Sequence, residues 1–181
     1  MNKEMRQKKY PDAITVIHNR KSVRNFTGES VTPDDIEILL KAAMAAPSAV
    51  NCQPWEFIIV TDRMTLDALG DALPYAKMIF KAGAAIIVCG VPAQAHKQMN
   101  EYAVVDSTLA SQNILLAAEA LGLGALWTAA YPYPDRMKSV KTILHIPANI
   151  IPLNVIPIGH PTGEDTAKEK FNSGKIHKEK W

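Results

Sequence analysis

Arg20, Lys21 and Arg24 surround a hydroxyl in the stretch Arg20-Lys21-Ser22-Val23-Arg24-Asn25-Phe26. On an extended backbone successive side chains alternate, which sends Arg20, Ser22 and Arg24 to one side. Guanidinium forks and a hydroxyl in a row make a small comb for anions, because a phosphate takes charge-assisted and preferably bidentate hydrogen bonds. Further along, Ala46-Pro47-Ser48-Ala49-Val50-Asn51-Cys52-Gln53-Pro54-Trp55 sets Ser48, Asn51 and Gln53 on a loop pinned by Pro47 and Pro54. That loop offers amide and hydroxyl groups on a backbone with little freedom. Read alone, the first segment serves equally as a solvated basic turn. The two segments together fit one ligand carrying a phosphate, a polyol and a polar ring edge.

Flavin mononucleotide (FMN) is such a ligand. Its pyrimidine edge gains negative charge on reduction, so Arg24 held beside the ring would favour the reduced form electrostatically. The sequence shows no Ser/His/Asp or Cys/His constellation, so no catalytic nucleophile is expected and Arg24 enters as a ring-tuning cation. His18, His96, His145, His160 and His177 never fall at metal-ligand spacing, and no metal site is expected. Asp34 and Asp35 read as dipole-compensating caps rather than an acid–base pair. Cys52 reads as a packing residue rather than a redox thiol.

The elements that must hold these residues follow from periodicity. Ile14, Ile17 and His18 mark a short helix over Asp12 to Asn19, feeding the comb. Thr32-Pro33-Asp34-Asp35 is a helix start with an N-cap, a proline in the first position and acids in the first turn. Ile36, Leu39, Leu40 and Ala43 continue it until Pro47. Trp55 to Thr61 and Ala84 to Cys89 read as strands, the second apolar throughout and therefore buried on both faces. Leu66, Leu69 and Leu73 mark a helix between them.

Asn100 to Leu121 is the longest periodic segment and the expected central helix, ended by Gly122. Its buried-looking Asp106, Gln112 and Asn113 call for internal partners or a subunit interface. Gly122-Leu123-Gly124 follows a helix and lacks the third glycine of a dinucleotide fingerprint. Ala125 to Ala130 is read as one strand whose small Ala129 and Ala130 serve either close packing or the approach of a planar ligand to backbone amides. Pro134-Asp135 opens another helix, and Leu153 to Ile158 is the last strand.

A length of 181 residues, 48% hydrophobic and 21% charged, is that of one soluble domain spanning 1–181. A net charge of +2 is too small to argue for nucleic acid or a membrane surface. No apolar run approaches a spanning helix. The two cysteines, Cys52 and Cys89, lack a CxxC spacing, and the polar start Met1 to Lys9 has no signal-peptide pattern, so a cytoplasmic setting is expected. Residues 164–181 are charged and aperiodic like a solvated tail, but Phe171, Ile176 and Trp181 argue that this tail docks on something.

Taken in order, these motifs resemble the nitroreductase family of FMN-dependent oxidoreductases, particularly its short members. RKSVRNF is similar to the family's RRSVRxF, APSAVNCQPWEFIIV to APSxxNxQPWxFxVV, and LGLGALW to LGLGtxW. Gly159-His160-Pro161 resembles the family's Gly-Tyr-Pro, and KFNSGKIHKEKW its basic-aromatic ending. The resemblance implies an α+β fold with a mixed central sheet flanked by helices, in an intertwined homodimer with FMN at the subunit interface. By position, Arg20 and Lys21 would meet the phosphate and polyol, and Ser22 and Arg24 the pyrimidine side of the ring. Pro47, Ser48, Asn51 and Gln53 would approach the same flavin, some of them from the partner subunit. Ala129 and Ala130 would hold the N5 and O4 edge through backbone amides, Gly159 would lie near the polyol, and Lys170 would complete the phosphate site.

Three departures bear on this. Lys21 stands for a usual arginine and loses the bidentate fork, Ala130 stands for a common glycine, and His160 for a tyrosine. The lid segments of larger members are absent, which leaves the substrate pocket open. The implied reaction is ping-pong: NADH or NADPH passes a hydride to the flavin and leaves, and a small electron-poor acceptor, nitroaromatic or quinone, then takes the electrons. Relatives with an enone, a halogenated phenol or a free flavin as acceptor, and a non-catalytic flavin-binding module, are the alternatives.

Overall fold

The computed structural model describes residues 10–181. The polar start Met1 to Lys9, with its expected lack of a signal peptide, lies outside the described residues. Five helices and five strands follow in order: α1 (Ala13–Asn19), α2 (Pro33–Met44), β1 (Trp55–Val60), α3 (Arg63–Ala72), β2 (Ala84–Gly90), α4 (Asn100–Leu121), β3 (Gly124–Ala125), β4 (Thr128–Ala129), α5 (Pro134–Leu144) and β5 (Ile151–Gly159). The expected cap of α2 forms, with the Asp35 N–H donating to Thr32 Oγ1 at 3.1 Å. Asp12 caps α1 and Asp62 caps α3 in the same way. Gly122, at φ +76°, closes α4 in the left-handed conformation that glycine adopts without strain.

The sheet runs β1-β2-β5-β3, with β4 also on β5. Every ladder among the described residues is antiparallel. The sheet is therefore antiparallel, where a mixed one was expected: the chain always returns beside the strand it reaches in the opposite sense. β2 is buried along its whole length. Alternation sends Ile86 and Val88, with Ile156 and Ile158 of β5, against Leu39 of α2 and Ile114 and Ala118 of α4. Ala85, Ile87 and Val155 face the other way, onto Leu66 and Leu69 of α3 and Val140 of α5. Each fully buried Leu or Ile contributes roughly 1.5–3 kcal/mol, so this helix–sheet–helix sandwich carries most of the stability.

Ala125 to Ala130 does not form one strand. β3 pairs Gly124 with Gly159 and Ala125 with Ile158, while β4 pairs Thr128 with Val155 and Ala129 with Asn154. The shared register sets Leu126 opposite Pro157, which has no N–H to give the ladder, and pairing lapses there.

Candidate functional site

The comb is held by its apolar residues. Val23 and Phe26 are buried with Ala82 and Leu126 in a small satellite core, and the Val23 N–H donates to the Ala125 carbonyl at 3.1 Å. Gly124 is what lets Val23 approach so closely, since a Cβ there would lie 2.6 Å from Val23 Cγ1. With Val23 turned inward, Arg20, Lys21, Ser22 and Arg24 are left lining one cleft of about 410 Å³. Lys21 joins the expected three because the segment is irregular coil rather than a flat strand.

The opposite wall is the C-terminal segment, with Glu164, Asp165, Thr166, Lys168 and Lys170. This wall is built by backbone pairing: Thr27 N–H to the His160 carbonyl at 2.9 Å, Thr162 N–H to the Asn25 carbonyl at 3.0 Å, and a bridge between Phe26 and Pro161. Asp165 locks it, accepting the N–H of Arg24 at 2.9 Å and of Asn25 at 3.1 Å. Lys170 Nζ reaches the Arg20 carbonyl at 3.3 Å. Arg20, Lys21, Ser22, Arg24 and Lys170 thus converge as read from the sequence, whereas Lys168 and Asp165 were hidden in a stretch that reads as a solvated tail.

Five cations face two carboxylates in this cleft, leaving a net positive field that suits a phosphate-bearing ligand. Lys21 is oriented from below by Glu119 of α4, 3.4 Å away. Arg24 turns one nitrogen back to the Ser22 carbonyl at 3.3 Å.

The loop of Pro47, Ser48, Asn51 and Gln53 does not line this cleft. It makes a short turn, Ala49–Asn51, and Val50 and Asn51 within it and Gln53 just after it all take positive φ. For a β-branched residue such as Val50 that conformation is a genuine departure from ordinary backbone. The turn is anchored on α4, where both carboxylate oxygens of buried Asp106 accept the Ala49 N–H at 3.2 Å. Ser48 Oγ accepts the Gln53 N–H at 2.9 Å. Of the other polar residues on α4, Asn113 donates to the Ala42 carbonyl at 2.9 Å, while Gln112 is exposed rather than buried.

Ala129 and Ala130 differ. The Ala130 N–H already donates to the Leu153 carbonyl at 3.1 Å, so the fold uses that amide. In an antiparallel ladder bonded and non-bonded pairs alternate, which makes Ala129 and Asn154 the non-bonded pair and turns the Ala129 N–H away from β5. Ala129 therefore keeps the free amide that a ligand edge needs. Its carbonyl accepts from Arg136 at 3.4 Å. Gly159 is buried, with Phe26 Cδ1 3.0 Å from where its Cβ would stand, which makes it a packing glycine in this chain.

Among the described residues no group of three or more His, Cys, Asp or Glu could hold a metal ion, and no helix is long and apolar enough to cross a membrane.

The tail beyond Lys170 leaves Phe171 and Ile176 76% and 58% exposed. Trp181 is fully exposed and stacks on His177.

The model of the Nitroreductase family matches residues 17–74 and 70–160. A protein of Archaeoglobus fulgidus named "Putative NADH dehydrogenase/NAD(P)H nitroreductase" is 41% identical over 173 residues, covering 94% of this chain and 99% of its own. A crystal structure of a protein of the same name from Bacteroides thetaiotaomicron is 47% identical, with a TM-score of 0.89 over 96% of this chain and all of that one. An FMN-dependent nitroreductase from Clostridium difficile, 25% identical, superposes with a TM-score of 0.85 over 93% of this chain and 99% of its own.

Proposed function

The chain belongs to the nitroreductase family, and on that premise we propose that it is an FMN-dependent oxidoreductase, taking electrons from NADH or NADPH and passing them to a small electron-poor acceptor of the nitroaromatic or quinone kind. One observation carries the reading: Arg20, Lys21, Ser22, Arg24 and Lys170, drawn from opposite ends of the sequence, line a single cleft.

The donor set fits the cofactor. Arg20, Lys21 and Lys170 would hold the phosphate and neighbouring polyol, Ser22 and Arg24 the pyrimidine edge, and the free Ala129 N–H the N5 and O4 edge. When bound, FMN supplies the two-electron chemistry, as organic cofactors do. The chain binds and orients it, and the fixed charge of Arg24 stabilises the negative charge that reduction brings to the ring edge. No nucleophilic side chain is required of the protein.

We read the working unit as a homodimer. Pro47, Ser48, Asn51 and Gln53 lie off the cleft of their own chain, so they would complete a partner's flavin site. Ile14 and Ile17 of α1 and Val105 of α4 are 64%, 50% and 55% exposed, apolar surface of the kind that association covers. The tail aromatics Phe171 and Trp181 would dock there too.

The test is the visible spectrum of the purified protein before and after NADH or NADPH is added without oxygen. A flavin spectrum that bleaches supports the reading. A colourless protein that takes up no added FMN refutes it, and a bound flavin that neither nucleotide reduces points to a flavin-binding module. Sizing the protein in solution, with one flavin per chain expected, tests the dimer.

A further inference from the structure

The guanidinium of Arg136 lies 3.8 Å from the ring centroid of Tyr133, and one of its nitrogens donates to the Ala129 carbonyl at 3.4 Å. It sits in the first turn of α5, where the helix field opposes a cation. Helix stability therefore does not account for an arginine here. A guanidinium carries five N–H donors in one plane, and a single protein carbonyl takes from it. Among the described residues Arg136 has no carboxylate partner. It is half-buried, whereas Asp135 beside it is exposed. Tyr131 and Tyr133 are 37% and 47% exposed, so the short stretch between Ala129 and Arg136 offers two phenol rings to solvent, one of them stacked under the guanidinium.

We propose that Arg136, braced on Tyr133, is a specificity-determining residue for the acceptor, binding the carboxylate of an electron-poor aromatic whose ring lies along Tyr131 and Tyr133. This rests on the reading in which Ala129 meets the flavin edge, since that contact puts the Arg136 cluster beside the reducible part of the cofactor. A carboxylate meets the guanidinium in a bidentate fork, and the aromatic body of the acceptor covers the phenol faces. Neutral acceptors of the same shape keep only the second contact. The expected preference is about tenfold or more in kcat/KM, the usual worth of one charge-assisted pair in a partly solvated site.

The experiment uses the flavin-loaded protein and two acceptors of matched size, 4-nitrobenzoate and the neutral 4-nitrobenzamide, with NADH or NADPH saturating. The wild type is expected to favour the benzoate, with the preference shrinking as salt is raised. Arg136→Met is expected to bring the ratio of the two kcat/KM values to about one, and Arg136→Lys, which keeps the charge but loses the fork and the stack on Tyr133, to retain only part of the preference. Loss of the bond to the Ala129 carbonyl slows both acceptors alike and leaves the ratio untouched, so the ratio separates recognition from a merely structural role.

A wild type with no preference for the benzoate, or an Arg136→Met protein that keeps it, overturns the assignment. A wild type that holds no flavin, or whose flavin NADH and NADPH leave oxidised, fails earlier and overturns the oxidoreductase reading along with it.

Discussion

Ala49 and Asp106 stand 57 positions apart, yet the N–H of one donates to both carboxylate oxygens of the other at 3.2 Å. Asp106 is 3% exposed, and this bond ties the strained loop of Ser48, Asn51 and Gln53 to the central helix. Replacing it with alanine strands the half-buried Ala49 N–H, so Asp106→Ala is expected to cost about 1–2 kcal/mol of stability and to weaken FMN binding on the order of tenfold. Asp106→Asn, which keeps an acceptor oxygen, should lose much less of both. Thermal melts and flavin titrations of the two variants check this; equal losses in both would show that the charge matters rather than the bond.

Arg24 faces the cleft with its apolar neighbour Val23 turned into the core. Arg24→Ala is expected to weaken FMN binding and slow its reduction by NAD(P)H by about 10–100-fold, with little change in melting temperature of the flavin-free protein because the side chain is exposed. Stopped-flow reduction under nitrogen measures the rate, and unchanged affinity and rate would remove Arg24 from its assigned role.

Gly124→Ala places a Cβ 2.6 Å from Val23 Cγ1 and 2.8 Å from Val23 Cβ. Neither atom can swing away, because Val23 is itself packed under Leu126 and Phe26. The substitution should cost about 1–3 kcal/mol and lower flavin occupancy by shifting the comb. Gly122→Ala is the control: φ is +76° with open space around the position, so backbone strain of about 1–2 kcal/mol should appear with flavin binding intact.

Burial among apolar neighbours pushes the Cys89 thiol up to about 12 from its ordinary 9.0. The folded chain therefore keeps a proton that the unfolded chain gives up. The stability linked to that proton is whole below about pH 9 and drains away as the pH climbs towards 12. Chemical denaturation at increasing pH should show this alkaline decline, and Cys89→Ala should flatten it. Cys52 is only half-buried. In the native protein a thiol reagent near neutral pH should label Cys52 and leave Cys89 until the chain unfolds.

Local chemistry was legible in the sequence, and spatial neighbourhood was not. Thr32 and Pro33 announce α2, the run from Asn100 to Leu121 is α4 to the residue, and Arg20 to Arg24 announces an anion site, because each signal lies within a few positions. The split of Ala125 to Ala130 depends on Pro157, which only pairing brings opposite. The difference between the Ala129 and Ala130 amides depends on ladder phase. Asp165, Lys168 and Glu119 carry no such signal, because a charged side chain in a tail or near a helix end looks like any solvated one until its neighbours are known. Arg136 carries no periodic or motif signal at all, and only its stack on Tyr133 and its bond to Ala129 single it out.

The lock that Asp165 places on the amides of Arg24 and Asn25 spans about 140 positions of chain. Asp165 lies only six positions beyond β5 (Ile151–Gly159), the strand on which β2, β3 and β4 all pair. The second wall of the cleft is therefore delivered to the comb only when β5 has taken its place in the sheet. The anion site is thus a product of the finished sandwich, and a chain whose β5 is unpaired has no complete cleft to load.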